Sequence, residues 1–374
     1  MTSAHPAGGA SSGRIATMST VSPFLRHALP AAPVHPSSSE RAVAAWLLAC
    51  CALVFTIIVV GGITRLSHAG LSITEWQPIV GTLPPLSATD WEEAFAKYRE
   101  TPEYQQVNRG MTLDAFKRIY WWEYAHRLLG RLVGVVFIVP LAVFAWRRRI
   151  PEGLGGKLAG VFVLGGLQGA LGWYMVKSGL VDDPRVSQFR LTAHLTLAFL
   201  ILGAMLWIAL SLLHPRRERL RDAALSARRW SHVALACVLA MVVSGGFVAG
   251  LRAGKAYNTF PLMNGELVPS GILMIDPWWK NFFWNIATVQ FDHRLFALLL
   301  VLVVGVLLWK VRAAIDVPRR ARSTARLLGV LVVLQIGLGV ATVLLAVPIV
   351  LGTLHQAGAA LVFATTVAVV QALR

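Results

Sequence analysis

The sequence predicts an all-α integral membrane protein: eight transmembrane helices arranged as two pseudo-symmetric four-helix bundles. Three observations carry this. The 374 residues are 56% hydrophobic and only 14% charged, and the mean hydropathy is +0.62, whereas soluble domains are about a quarter charged. The apolar residues fall into eight runs, each about 20 residues long or more, enough to cross a bilayer. The runs also repeat: the last four echo the first four.

In chain order, residues 1–42 form a predicted disordered tail, rich in Ser, Pro, Ala and Gly and without helical periodicity. It lacks the short apolar core and cleavage site of a secretory signal. The predicted spans are 43–64, 119–146, 157–177, 190–213, 230–251, 286–309, 326–347 and 349–373. An N-terminal bundle thus covers 43–213 and a C-terminal bundle 230–374, with a linker at 214–229. The loops 147–157, 214–229 and 310–326 hold 16 Lys and Arg in 44 residues, against 12 in 102 for the other three. The dense set should face the cytoplasm, which puts both termini inside and loops 65–118 and 252–285 outside. The net charge of +17 therefore reads as a topology signal and excludes nucleic acid as a partner. Trp121, Trp122, Trp278, Trp279 and Trp284 fit an interfacial aromatic belt where the outer loops re-enter. Within loop 65–118, DWEEAFAKYRETPEY predicts a surface helix, and a long ordered loop often covers a site. Cys50, Cys51 and Cys237 all sit in apolar runs, which implies neither a disulfide framework nor a CxxC site.

The repeat is read from LQGALG at 167–172 and LQIGLG at 334–339, an offset of 167 shared by the His-Arg pairs at 126 and 293. His194 and His355 are 161 apart, and Gly61-Gly62 and Gly245-Gly246 are 184 apart. Four spans per copy give both copies the same orientation, a parallel repeat about the membrane normal.

Of ten histidines, four lie well inside the even-numbered spans: His126, His194, His293 and His355. Each follows the outer end of its helix by four to eight residues, roughly 6–12 Å. A single intramembrane histidine is often a packing residue; four at one depth, two per copy, point to ligation of a metal or heme iron in each bundle core. Small residues one turn away on the same helix faces (Gly130, Gly134, Ala198, Ala297, Gly352, Gly358, Ala359) leave room for a porphyrin plate, although small residues also serve close helix packing. Arg127 and Arg294 could balance heme propionates or extend to the interface. The copies differ at the position three before the first histidine: Glu123 in one, Gln290 in the other. Glu123 offers acid–base chemistry or cation stabilisation; the plainer reading is a salt bridge to Arg127, four residues on. Asp292 adjoins His293 and points about 100° away.

At these residues the chain resembles the heme A synthase family, over nearly all of 41–373: EYAHRLLGR, the four histidines, the duplicated bundle, and GGITRLSHAGLSITEWQPIVGTLPP after the first span. The resemblance implies conversion of heme O to heme A by oxidation of the C8 methyl to a formyl group through successive hydroxylations. It implies heme b as resident cofactor, with His293 and His355 as its axial iron ligands. It places substrate heme between His126 and His194, and makes Glu123 the catalytic acid, proposed in the family to stabilise a carbocation. The implied setting is the bacterial inner membrane, with heme O synthase, terminal-oxidase assembly factors, membrane lipid and a second copy of the chain as candidate partners. One branch of the family carries a cysteine pair in the first outer loop; 65–118 contains none, as in the proteobacterial and mitochondrial branch. The chief rival is a di-heme b-type membrane electron carrier without substrate chemistry, which would not need Glu123. A transporter of parallel repeats would instead place its polar groups near the midplane.

Overall fold

The computed structural model describes residues 35–75, 80–181, 184–215 and 222–374. Residues 1–34 of the predicted tail lie outside them. Helix α1, Ser38–Leu66, begins earlier than the predicted 43 because Ser37 and Glu40 form a capping box: Glu40 N–H donates to Ser37 Oγ and Ser37 N–H to Glu40 Oε2. After it come α2 (Ala88–Arg99) and α3 (Pro102–Gln106), then α4 (Leu113–Trp146), α5 (Gly155–Lys177) and α6 (Gln188–Leu213). The second half holds α7 (Asp222–Gly250), the single turn α8 (Asn281–Trp284), α9 (Ile286–Ala313), α10 (Arg319–Leu344) and α11 (Ile349–Ala372). Among the described residues, eight helices are long and apolar enough to cross a membrane, and they match the eight predicted runs. The molecule is therefore an all-helical, multi-pass membrane protein.

Two boundary differences have local causes. α10 stops at Leu344 rather than 347, because Ala346 and Val347 take left-handed backbone angles ahead of Pro348, which caps α11. The apolar run is continuous there, so hydropathy alone cannot place the turn. α4 has 34 residues and is about 51 Å long, against about 30 Å of hydrocarbon. Its excess first turns form a platform beside the predicted spans. There Phe116 and Tyr120 pack with Trp91 and Tyr98 of α2 in a buried aromatic cluster. The helix predicted in DWEEAFAKYRETPEY is thus real, capped by Ser87 and Asp90, and it rests on α4.

α1 packs against α6 and α11, and α7 against the same two, so these four helices form the centre. Their apolar windows are 44%, 44%, 33% and 50% buried for α1, α6, α7 and α11, against 6% for α4 and for α5. The contacts α1–α4 and α5–α6 recur as α7–α9 and α10–α11, consistent with a duplicated four-helix unit. The Trp121, Trp122, Trp278, Trp279 and Trp284 rings are partly exposed at the end that bears the long loops.

Candidate functional site

Each of the four intramembrane histidines lies against a glycine of a neighbouring helix. A methyl group added at Gly61 of α1 would stand 2.9 Å from His126 Nε2, and one at Gly172 of α5 2.9 Å from His194 Cε1. In the second half, a methyl at Gly245 of α7 would stand 3.4 Å from His293 Cε1, and one at Gly339 of α10 3.0 Å from His355 Cε1. All four contacts are at or inside van der Waals range, so glycine is what lets the rings reach across. His126 lies within the electrostatic reach of His194, and His293 within that of His355. The imidazoles are therefore brought together in two pairs, one per bundle.

A glutamine holds one ring of each pair. Gln168 Nε2 donates to His194 O at 3.1 Å and lies 3.4 Å from its Nε2; Gln335 Nε2 donates to His355 O at 2.8 Å and lies 3.1 Å from its Nδ1. Both amides come from the repeated LQ motifs. Ser244 Oγ lies 3.1 Å from His293 Nδ1.

The donor set fits a porphyrin iron. Among the described residues no group of three or more His, Cys, Asp or Glu is placed to hold a bare metal, and a structural zinc wants four protein ligands. Two histidines are what a six-coordinate heme takes, its other four ligands being the macrocycle. At the pairs, three buried polar atoms lack partners: His194 Nδ1 and Gln168 Oε1 in the first half, and Gln335 Oε1 in the second. Folded proteins leave few such atoms, and these three belong to a histidine or to the glutamines that hold the rings.

Glu123 is buried and fully engaged. Its Oε2 accepts from Ser72 N–H at 2.7 Å, Ser72 Oγ–H at 2.7 Å and Ile73 N–H at 2.9 Å; its Oε1 accepts from Arg127 Nε at 3.1 Å and Nη2 at 2.7 Å. Arg127 also donates to Ile73 O and Glu75 O. Together they clamp the segment after α1 onto α4. Gln290 and Arg294 do the same after α7: Gln290 Nε2 and Arg294 Nη2 both donate to Tyr257 O, and Arg294 also to Thr259 O, Pro261 O and Leu262 O. Both arginines thus donate to loop carbonyls. The ion pair of the plainer reading is present, and Glu123 differs from Gln290 in accepting donors where the amide gives one. Asp292 makes no ion pair among the described residues. A second acid lies close by: Glu103 of α3 is 3% exposed, its Oε2 has no partner, and burial, with the field of Glu123, pushes it up to about 7 against the pull of Arg252.

Residues 44–367 match the model of a cytochrome oxidase assembly protein family, COX15-CtaA. The chain belongs to this family. It is 53% identical to a heme A synthase of Nitrosospira multiformis, over 90% of this chain and 94% of the relative. It is 51% identical to a heme A synthase of Nitrosomonas eutropha, over 87% and 92%, and 48% identical to one of Parvibaculum lavamentivorans, over 88% and 94%.

For this family member, reading the sequence for histidines and for small residues on their own helices missed two groups. The glycines that meet the rings are Gly61, Gly172, Gly245 and Gly339, on the partner helices. Of the same-helix set, Gly130 faces Ile57, Gly352 faces Leu66, Gly358 gives way to Gln335, and nothing stands near Gly134. Gln168 and Gln335 were also missed. Their signal was present, since all six residues lie in the repeated GG and LQ motifs.

Proposed function

We propose that the protein is a heme A synthase, oxidising the C8 methyl of heme O to the formyl group of heme A. The observation that carries this reading is the duplicated histidine pair, each closed by a glycine on either side and held by a glutamine. The names of the relatives support it. Within it, His293 and His355 hold resident heme b, which supplies electron transfer when bound. His126 and His194 flank heme O, in the bundle whose peripheral helices α4 and α5 are least buried.

Glu123 is the ionisable group of the first site that the second lacks, and we assign it the acid–base role. Arg127, the Ser72–Ile73 amides and the Ser72 hydroxyl position it: their five hydrogen bonds hold the carboxylate in one orientation on the His126 side of α4, three residues from that ligand. Accepting a proton, or answering positive charge at the substrate methyl, then requires one of these donors to yield. Ser72 Oγ is the donor whose loss leaves both backbone bonds and the ion pair with Arg127 intact, and Ala69 O is an alternative acceptor for it.

Loop charge supports an orientation with the basic loops and both termini in the cytoplasm, in a bacterial inner membrane. Pigment extraction from the purified protein tests the function. Low-spin heme b is expected, together with heme A when a heme O source is co-expressed. Heme O left unchanged beside folded, heme b-loaded protein would overturn it in favour of the electron carrier.

A further inference from the structure

Four basic side chains converge where the ends of α1 and α7 meet. His68 and Arg252 hold matching places, 184 residues apart like Gly61 and Gly245, and both take left-handed backbone angles, φ 55° and 54°. Their side chains touch, with Arg252 Nη2 3.3 Å from His68 Nδ1. Burial, then the fields of Arg252, Lys255 and Arg65, push His68 below its ordinary range. The imidazole is therefore neutral and accepts from Arg252, and three cations act on one small region. None of the ion pairs among the described residues includes Arg65, Arg252 or Lys255. The acid within reach of Arg252 is Glu103, whose carboxyl is pushed by burial up to about 7 and so weakened as a counter-charge.

Like charges held together in a half-buried place are costly unless an anion joins them. The position says which anion. Gly61 is the residue of α1 that meets His126, and Arg65 is four residues on, one turn nearer the loop-bearing end on the same face. Arg252 follows Gly245, the residue that meets His293, by about two turns. The cations thus stand beyond both histidine pairs, between the bundles. A b-type porphyrin carries its two carboxylates on one edge, and Arg127 and Arg294 are occupied with loop carbonyls.

We propose that Arg65, Arg252 and Lys255 bind the propionates of the porphyrins at the junction of the two bundles. This rests on the heme reading above and deepens it, by naming what holds the polar edge of the ligand.

The test is titration of heme-depleted, full-length protein in neutral detergent with ferric protoheme and, separately, with its dimethyl ester, followed by the low-spin Soret band. The diacid should bind at least about tenfold tighter than the ester, as charge-assisted bonds require. Arg65→Gln and Arg252→Gln should lose that preference while ester affinity and band position stay unchanged. Arg252→Lys, which keeps the charge, should retain most of it and guards against misfolding as the cause. Equal binding of diacid and ester by the wild type, or a preference surviving in the double variant, overturns the proposal and leaves the heme reading intact. Wild-type protein that brings neither pigment to a low-spin state takes both down. Repeating the titration with phosphatidylglycerol and with phosphatidylcholine separates the remaining source of anion. If phosphatidylglycerol alone abolishes the preference, the cations form a lipid-phosphate site and the proposal fails.

Discussion

At the scale of single residues, Glu123 unites two jobs that substitution can separate. A glutamine there still accepts from Ser72 and Ile73 but forfeits the ion pair with Arg127. Glu123→Gln should keep heme b and lower heme A output by at least about a hundredfold. Hydrogen exchange at Ser72 and Ile73 reports the clamp. If exchange there rises in proportion to lost activity, Glu123 acts only through the loop. Unchanged heme A output would remove it from the reaction altogether. The glycines give a second pair of outcomes. Gly339→Ala places a methyl 3.0 Å from His355 Cε1 and should abolish the low-spin heme b band. Gly172→Ala crowds His194 in the same way and should spare heme b while stopping product. Visible spectra and pigment analysis of the two variants check this, and loss of heme b from both would contradict the division of labour. The histidines and Glu123 were legible as ionisable groups in apolar runs. The Arg127 ion pair was legible too, but the three donors from Ser72 and Ile73 were not, because these residues lie about fifty positions away in the chain and only folding brings them near.

At the scale of elements, α2 and α3 show what a long loop becomes when its helix partner outgrows the membrane. The aromatic cluster on α4 buries Glu103, whose carboxyl stays protonated in the folded segment up to about 7 but ionises near 4.5 in the unfolded chain. The sign follows. The stabilising contribution is full below about 4.5, declines as pH rises, and is gone above about 7. Across that window the segment should lose on the order of 3 kcal/mol. Limited proteolysis of 88–112 as a function of pH should show this, and Glu103→Gln should flatten the profile. A profile unchanged by that substitution would assign the effect to another group. The helix itself was readable from its mixed-charge periodicity. Its partner was not, because extra length in α4 looks in sequence like part of the loop.

At the scale of the whole molecule, two bundles share four central helices, and glycines set how closely those helices meet. A methyl at Gly250 of α7 would stand 2.7 Å from Gln188 Cα of α6, and backbone cannot step aside as a side-chain tip can. Gly250→Ala should therefore push the bundles apart, costing about 1–3 kcal/mol and lowering heme occupancy in both halves. Thermal unfolding in detergent and heme stoichiometry measure the two effects. A loss confined to one heme would show that the bundles behave independently. Gly203 against Phe363, and Gly62 against Gln356, extend the same contact along α6, α1 and α11.

The sequence by itself determined the number of spans, the repeated motifs, the four histidines and the family. Hydropathy and repeat spacing are properties of consecutive residues, and a bilayer imposes them before any helix finds a partner. Only the tertiary structure decided that α1, α6, α7 and α11 lie at the centre, and that each histidine rests on a glycine of another helix. It alone showed that Arg127 and Arg294 hold loops, and that Arg65, Arg252 and Lys255 converge on one another. Those facts depend on which faces pack, and in a membrane nearly every face is apolar, so polarity cannot choose among them. Close approach and hydrogen-bond geometry do, and they exist only once the helices are in contact.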